Sequence, residues 1–297
     1  MKILITGASG LVGSALVEFL FKKGHVIQCL QRNKEKDPER IWDTSILEVD
    51  KPDHVPFDAV IHLAGENVAG GRWDAARKER ILRSRVDGTR QLVDALSKLQ
   101  NRPKVFLSAS ATGYYGDCGN RDVDERSPLG SGFLAEVCRQ WEEEALRAEQ
   151  ASIRVVLLRF GMILSPKGGA LHKMLPAFKA GFGGVIGSGE QFISWTPIKD
   201  LTEIVHFLMI NETASGPYNV IAPTPVTNRT FTKTLGEVLG RPTFFPAPAF
   251  LVRLIFGEMA DEMVLSSCKA KPTRLLDAGY TFHEEDLRRT LESCMLR

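Results

Sequence analysis

The strongest constraint on this chain lies in its opening residues. A short apolar run, Lys2-Ile3-Leu4-Ile5-Thr6, leads into Gly7-Ala8-Ser9-Gly10-Leu11-Val12-Gly13 and then into an amphipathic stretch. The run is β-branched and of strand length. Residues 11–23 place Val12, Leu16, Phe19 and Leu20 on one helical face, and Gly24 ends the helix. Residues 25–31 (HVIQCLQ) read as a second strand. Strand, glycine turn, helix and strand make a βαβ unit, because adjacent parallel strands need a crossover. In such a turn glycines allow the tight bend, close backbone approach to a pyrophosphate, and close helix–strand packing. The helix N-terminus then presents free N–H groups and a positive dipole end to the phosphates. Gly7, Ser9, Gly10, Leu11, Val12 and Gly13 are therefore candidate cofactor contacts. The plainer reading is a tight turn that holds nothing. The strand before it and the helix after it favour the ligand.

The alternation continues. Ala59–Leu63 reads as a strand ending in Ala64-Gly65, residues 73–99 as a long charged helix, and Lys104–Ser108 as a strand. A loop rich in Gly, Asp and Arg spans 112–131, a helix 132–150, and a strand Arg154–Arg159. Strands alternating with helices predict an α/β protein with a doubly wound parallel sheet, helices on both faces. After about residue 165 the pattern changes to loops such as 181–189 (GFGGVIGSG) and helices with Pro-rich connections. The expected organisation is a Rossmann-type domain of residues 1–165 plus about 196–222. A smaller C-terminal substrate lobe would take about 166–195 plus 223–297. Trp195–Asp200 and Tyr218–Val220 look like segments returning to the first domain.

Other classes are disfavoured. With 297 residues and 43% hydrophobic content the chain can bury a sizeable core. A net charge of +2 without a basic stripe argues against nucleic acid as a partner. The opening apolar run is too short for a signal peptide, and no stretch is long enough to span a membrane. Five cysteines without metal-like spacing fit a reducing compartment, and the expectation is a cytoplasmic protein. The six histidines show no metal spacing either, so no metal site is expected, and His62 in its apolar strand reads as a satisfied core residue.

The end of the second strand bears on the choice of cofactor. An acidic residue there binds the ribose hydroxyls of NAD(H), whereas an Arg accepts the 2′-phosphate of NADP(H). Here Leu30-Gln31-Arg32-Asn33 offers Arg32, with Gln31 beside it, and Glu35 and Asp37 come slightly too late. NADP(H) is the expected cofactor and NAD(H) the alternative. A solvated Arg32 that touches nothing is the bland reading.

The GxxGxxG spacing after Thr6 resembles the extended short-chain dehydrogenase/reductase superfamily. The likeness is to its atypical epimerase-like branch, whose bacterial members carry the labels nucleotide-sugar epimerase and cell division inhibitor. The supporting motifs are Leu63-Ala64-Gly65-Glu66-Asn67, Arg72-Trp73, Ser84-Arg85, Ser110–Gly116, Trp141-Glu142, Leu158–Leu164, Gly187-Ser188-Gly189 and Phe256-Gly257-Glu258. They run through nearly the whole chain, the C-terminal lobe included. The resemblance implies that Leu63, Ala64 and Gly65 follow the adenosine and pyrophosphate side of the cofactor, with Glu79 and Arg85 near it. It implies that Ser108 and Ser110 end a strand at the substrate-side hydroxyl, and that Phe160, Gly161 and Met162 line the nicotinamide. Glu79 and Arg85 also fit the charged face of their helix.

One departure matters. Members of the superfamily carry Tyr-x-x-x-Lys on the helix after the serine, the Tyr as acid or base and the Lys to lower its pKa and hold the ribose. Here Phe133 or Leu134 falls at the Tyr and Val137 or Cys138 at the Lys. Neither Phe nor Leu can move a proton. Three substitutes are open: Tyr114 or Tyr115 as acid, unless both are structural aromatics; Glu66 as a base if burial raises its pKa; and Cys138 as nucleophile, against its reading as a small buried hydrophobe. Ser110 completes the catalytic candidates. The expected function is an NADP(H)-dependent oxidoreductase or epimerase-like enzyme on an unidentified small molecule. The alternative is a non-catalytic NADP(H)-binding sensor or protein-interaction module, which the missing pair favours. Oligomeric state, substrate and reaction direction are not legible here.

Overall fold

In a computed structural model, residues 1–31, 41–42 and 56–295 are described. The chain opens as expected. β1 (Lys2–Thr6) runs into α1 (Leu11–Lys22), and β2 (Val26–Leu30) follows after Gly24, whose φ of +82° is the left-handed conformation that suits glycine after a helix. Next come β3 (Ala59–His62), α2 (Ala75–Ser97), β4 (Val105–Ala111), the short β5 (Asp122–Val123), α3 (Phe133–Leu146) and β6 (Arg154–Phe160). Asp74 caps α2, its carboxylate accepting the N–H of Arg77 at 2.6 Å.

Among the described residues one six-stranded sheet is entirely parallel, in the order β2-β1-β3-β4-β6 with a sixth strand, β10 (Gly216–Val220), beyond β6. Alternate residues along each strand face opposite sides. Ile3, Ile5, Ile61, Leu107 and Leu158 meet Leu16 and Leu20 of α1 and Leu201 and Val205 of α5 (Ile198–Ile210). Leu4, Val60, Phe106 and Leu157 meet Leu92 and Leu96 of α2 and Ala145 of α3 on the other side. α1 and α2 thus cover opposite faces, although they leave neighbouring strands. The strand order reverses between β1 and β3, and in sheets of this kind ligands bind beyond the C-terminal strand ends at such a point.

Beyond β6 the chain makes β7 (Met162–Leu164), α4 (Gly169–Lys179), β8 (Phe192–Ile193) and β9 (Trp195–Pro197). Then α5 packs on α1 and β10 joins the main sheet, so the chain crosses back to the sheet before leaving it again. β11 (Val226–Thr227), α6 (Asn228–Leu239), α7 (Ala249–Phe256), β12 (Lys269–Ala270), α8 (Thr273–Asp277) and α9 (Leu287–Met295) complete it. A separate core joins Leu164, Leu171, Trp195, Phe231, Leu235 and Leu291.

Two sequence expectations are corrected. The fourth strand continues to Ala111 and turns through a single 3-10 turn, Thr112–Tyr115, where a plain loop was expected from 112. The helix expected over 132–150 stops at Leu146 and tightens into a 3-10 turn, Arg147–Ala151, before Ser152 at φ +59°. No helix among the described residues is long and apolar enough to cross a membrane.

Candidate functional site

The site begins at the glycine turn. Gly7 has φ +71°, and a Cβ there would lie 2.8 Å from the backbone nitrogen of Ala64. A Cβ on Gly13 would meet the carbonyl oxygen of Gly7 at 2.2 Å. The turn is therefore pressed against the end of β3 and can be built only without side chains at these positions. Gly10 opens α1 and no side chain caps its first turn, so the N–H groups at Leu11, Val12 and Gly13 point away from any side-chain acceptor. Ser9 and Gly10 are exposed at the tip. Gln31 is exposed just past β2, and Arg32 lies outside the described residues.

Thr6 and His62 lock the two strand ends together. Thr6 Oγ1 accepts the N–H groups of Leu63 and Ala64 at 3.2 and 3.3 Å and bonds His62 Nδ1 at 2.7 Å. His62 Nε2 meets Thr89 Oγ1 of α2 at 3.0 Å. Burial, reinforced by Arg85 nearby, pulls the imidazole pKa down to about 3, so His62 is neutral and structural. Gly65 follows, and the Arg85 guanidinium lies against it, with Cζ 3.0 Å from where a Cβ would stand. Glu79, by contrast, has a side chain 65% exposed and, among the described residues, faces Arg83 at 3.9 Å. It belongs to the solvated face of α2 and not to the crevice, because its place in the helical repeat points it outward.

A closed polar chain crosses the ends of β4, β6 and β10. Ser110 Oγ donates to Glu142 Oε1 at 2.6 Å. Arg159 grips the same carboxylate with Nε at 2.8 Å and Nη2 at 2.7 Å. Its Nη1 donates to Tyr115 Oη at 2.9 Å, and Tyr115 donates to Asn219 Oδ1 at 2.8 Å. Asn219 continues the chain, its side-chain amide donating to Lys271 O and its backbone N–H to Glu125. Burial alone would lower the Arg159 pKa, but the hydrogen bonds and charge of Glu142, with Tyr115, raise it. Burial also holds the Tyr115 phenol above its ordinary range, although Arg159 and Asn219 oppose it. Tyr115 and Ser110 are thus fully committed members of a structural network. Ser108 is wholly buried inside β4, because the strand runs on past it, and so does not end the strand as expected.

The positions of the absent Tyr and Lys are apolar. Phe133 and Leu134 pack with Trp73, Ile81, Val137 and Met259, and Phe133 meets Trp73 edge-on at 5.3 Å between centroids. Cys138 is 4% exposed, and burial, with Glu142 behind it, pushes its thiol up to about 11, which removes it as a thiolate nucleophile. Glu66 is a third exposed and pairs with Arg77 at 3.6 Å. Tyr114 remains half-buried within the 3-10 turn, its ring over the Arg159 guanidinium with Cζ 3.6 Å from the centroid. Phe160 and Met162 are half-buried where β6 passes into β7. Gly161 between them has a packing duty, since a Cβ would meet Ser194 O at 2.4 Å.

Sequence reasoning quoted Glu142 and Arg159 only as parts of motifs and assigned no role to Asn219, Glu125 or Glu262. Glu262 accepts the backbone N–H groups of Phe133 and Leu134, both at 3.0 Å, and so fixes the start of α3 from 128–129 residues away. No local signal could have found it.

Residues 3–221 match the NAD dependent epimerase/dehydratase family, and residues 247–294 match a domain of unknown function (DUF1731). An epimerase family protein of Mycobacterium bovis is 39% identical over 290 residues, spanning 97% of this chain and 96% of that protein. Among solved structures, the human epimerase family protein SDR39U1 with NADPH aligns with a TM-score of 0.88 at 32% identity, covering 99% of each chain. A UDP-N-acetylglucosamine 4-epimerase from Bacillus cereus aligns with a TM-score of 0.75, covering 100% of this chain and 98% of that one. At 18% identity it speaks for the fold alone.

Proposed function

The chain belongs to the NAD dependent epimerase/dehydratase family, and from that premise we propose that it binds NADP(H) and acts as an oxidoreductase or epimerase-like enzyme on a small molecule. One observation carries the cofactor half of this reading. The uncapped first turn of α1 stands over a glycine turn that is packed, with no room for a Cβ, against the end of β3. Free N–H groups at a helix start beside glycines that admit close backbone approach suit a pyrophosphate. NADPH bound to the human relative adds support for the phosphorylated form, as does Arg32 in the sequence.

When bound, the cofactor would supply or accept the hydride. The chain's own part is to hold it and to move a proton. Ser110 and Tyr115 are tied up in the Glu142–Arg159 network, which leaves Tyr114 as the hydroxyl best placed to trade a proton at the end of β4. Phe133, Leu134 and Trp73, which pack together where the Tyr of the pair would stand, offer no proton donor or acceptor there in their side-chain cluster beyond the Trp73 N–H. Free thiols at Cys29, Cys118, Cys138, Cys268 and Cys294 suit a reducing compartment such as the cytoplasm.

A second reading has its own observation. Because the Tyr and Lys positions are filled by apolar packing, the chain also suits a non-catalytic NADP(H) sensor or interaction module. The deciding experiment titrates NADPH and NADH into the purified chain and into Arg32→Ala, then screens carbonyl compounds for NADPH oxidation. We expect NADPH to bind at least about tenfold tighter than NADH and Arg32→Ala to lose that preference, as for a charge-assisted phosphate contact. Equal affinities would remove the 2′-phosphate role, and no binding at all would remove the cofactor reading. Binding without any turnover would leave the sensor.

A further inference from the structure

Two of the five free cysteines meet. Cys118 lies just after the Thr112–Tyr115 turn and Cys268 just before β12, in segments 150 positions apart that are laced together. Cys118 N–H donates to Ser267 O at 2.7 Å, and Ser267 N–H donates to Asp117 Oδ1 at 3.0 Å. The two thiols converge on one turn. Cys118 Sγ donates to Tyr115 O at 3.4 Å, and Cys268 Sγ donates to Thr112 O at 3.7 Å. The thiols are also in hydrogen-bond contact with each other. Both pack in the same apolar cluster, with Tyr114, Tyr115, Val123, Ile221 and Ala270.

The two sulfurs are not equivalent. The Cys268 S–H bond to Cys118 Sγ, with the charge of Arg121, draws the Cys118 thiol below its ordinary range, while the same contact and burial hold Cys268 above it. Cys118 is itself buried, but Asp117 and residues 119–121 on either side of it are exposed, so its sulfur lies shallow. A readily ionised thiol beside a second thiol is the arrangement of an attacking and a resolving cysteine. We propose that Cys118 and Cys268 form a redox-active dithiol that hydrogen peroxide closes to a disulfide, pinning the turn that carries Tyr114 to the segment before β12. The Cys118 thiolate attacks one peroxide oxygen. An S–O bond forms, the O–O bond breaks, and the departing hydroxide takes the proton Cys118 released and leaves as water. The Cys268 sulfur then attacks the sulfenic sulfur. The S–S bond forms, the S–O bond breaks, and a second water leaves with the Cys268 proton. Two thiols are oxidised and one peroxide is reduced to two waters. A thiol reductant reverses the change, as befits a transient disulfide in a reducing compartment.

The test treats the folded wild type with stoichiometric hydrogen peroxide, denatures it in an alkylating agent, and reads intact mass and a peptide map before and after dithiothreitol. We expect the loss of two of the five thiols, a cross-linked peptide pair holding Cys118 and Cys268, and recovery of both thiols with the reductant. Dimedone, which traps sulfenic acids, should label Cys118 in Cys268→Ala and leave Cys268 unlabelled in Cys118→Ala, each variant checked for folding by circular dichroism. Retention of all five thiols would return the pair to inert core packing and overturn the proposal. A cross-link between other cysteines, or a loss that dithiothreitol does not reverse, would overturn it as well. Labelling of Cys268 in Cys118→Ala, with none of Cys118 in Cys268→Ala, would overturn the order of attack. The wild-type map needs no variant, so it decides the disulfide even where a substitution unfolds the chain.

Discussion

At the scale of single residues, the site separates groups that are held from groups that are free. Glu142 and Arg159 have side chains 7% and 4% exposed, and each hydrogen bond between them is charge-assisted. Removing one partner leaves the other charge buried alone. Glu142→Ala should cost about 3–5 kcal/mol, because an uncompensated buried charge is the expensive outcome. In a chain of this size that corresponds to a fall in Tm of about 5–8 °C, readable by calorimetry. A fall under about 2 °C would mean the pair is relieved by water. Tyr114 sits outside that network. Tyr114→Phe should leave NADPH affinity within about twofold and, for any substrate found, lower kcat about a hundredfold as general-acid loss does. An unchanged kcat would return Tyr114 to the role of a ring stacked on Arg159.

At the scale of elements, α1 illustrates a local preference overruled by a neighbour. Gly13 lies inside the helix, where alanine is ordinarily better by about 1 kcal/mol. Here a Cβ would meet the Gly7 carbonyl oxygen at 2.2 Å and Ala8 Cα at 2.7 Å, both backbone atoms that cannot swing aside. Gly13→Ala should therefore destabilise the chain and, by levering the turn off the helix, weaken NADPH by about tenfold or more, well beyond the propensity term. Fluorescence titration of the folded variant measures it, and an unchanged affinity would show that the turn is only structural. α3 carries the opposite lesson. Its start has no side-chain cap of its own and takes Glu262, so its position answers to a residue 128–129 positions away.

At the scale of the whole molecule, the buried histidine couples folding to pH. His62 has a folded pKa of about 3 against about 6.5 unfolded, because burial penalises its charged form. Above about pH 6.5 both states are neutral there and it contributes no slope. As pH falls below that, the unfolded chain takes a proton that the folded chain refuses, and stability drops by about 1.4 kcal/mol per pH unit until about pH 3. Burial also lowers His206 and His25, which act in the same direction. Glu125 and Asp200, whose carboxyls burial raises, act in the opposite one. Comparing the urea midpoint of the wild type with that of His62→Gln at about pH 7 and about pH 5 isolates the histidine, and the wild type should lose more. Equal losses would mean that His62 is protonated in the fold.

The βαβ start, the parallel sheet, the cofactor turn and the absence of the Tyr/Lys pair were all legible in the amino-acid order. Each is a local pattern: apolar periodicity, glycine spacing, or a missing residue type at a fixed offset. Long-range partners were not. The order of residues placed Ser108 at a strand end, Glu79 by the cofactor, and Ser110 and Tyr115 among the reacting groups. Packing instead carried β4 past Ser108 and turned Glu79 to solvent. It tied Ser110 and Tyr115 to Glu142, Arg159 and Asn219, which come from α3, β6 and β10. The same packing set the Arg85 guanidinium against Gly65 and over the Trp141 ring, a placement that no spacing along α2 could announce. Backbone geometry follows from neighbours in sequence, so the fold and the phosphate cradle could be read from the chain itself. Which side chains are spent and which are free depends on contacts between residues tens to more than a hundred positions apart, and only the tertiary structure decides those.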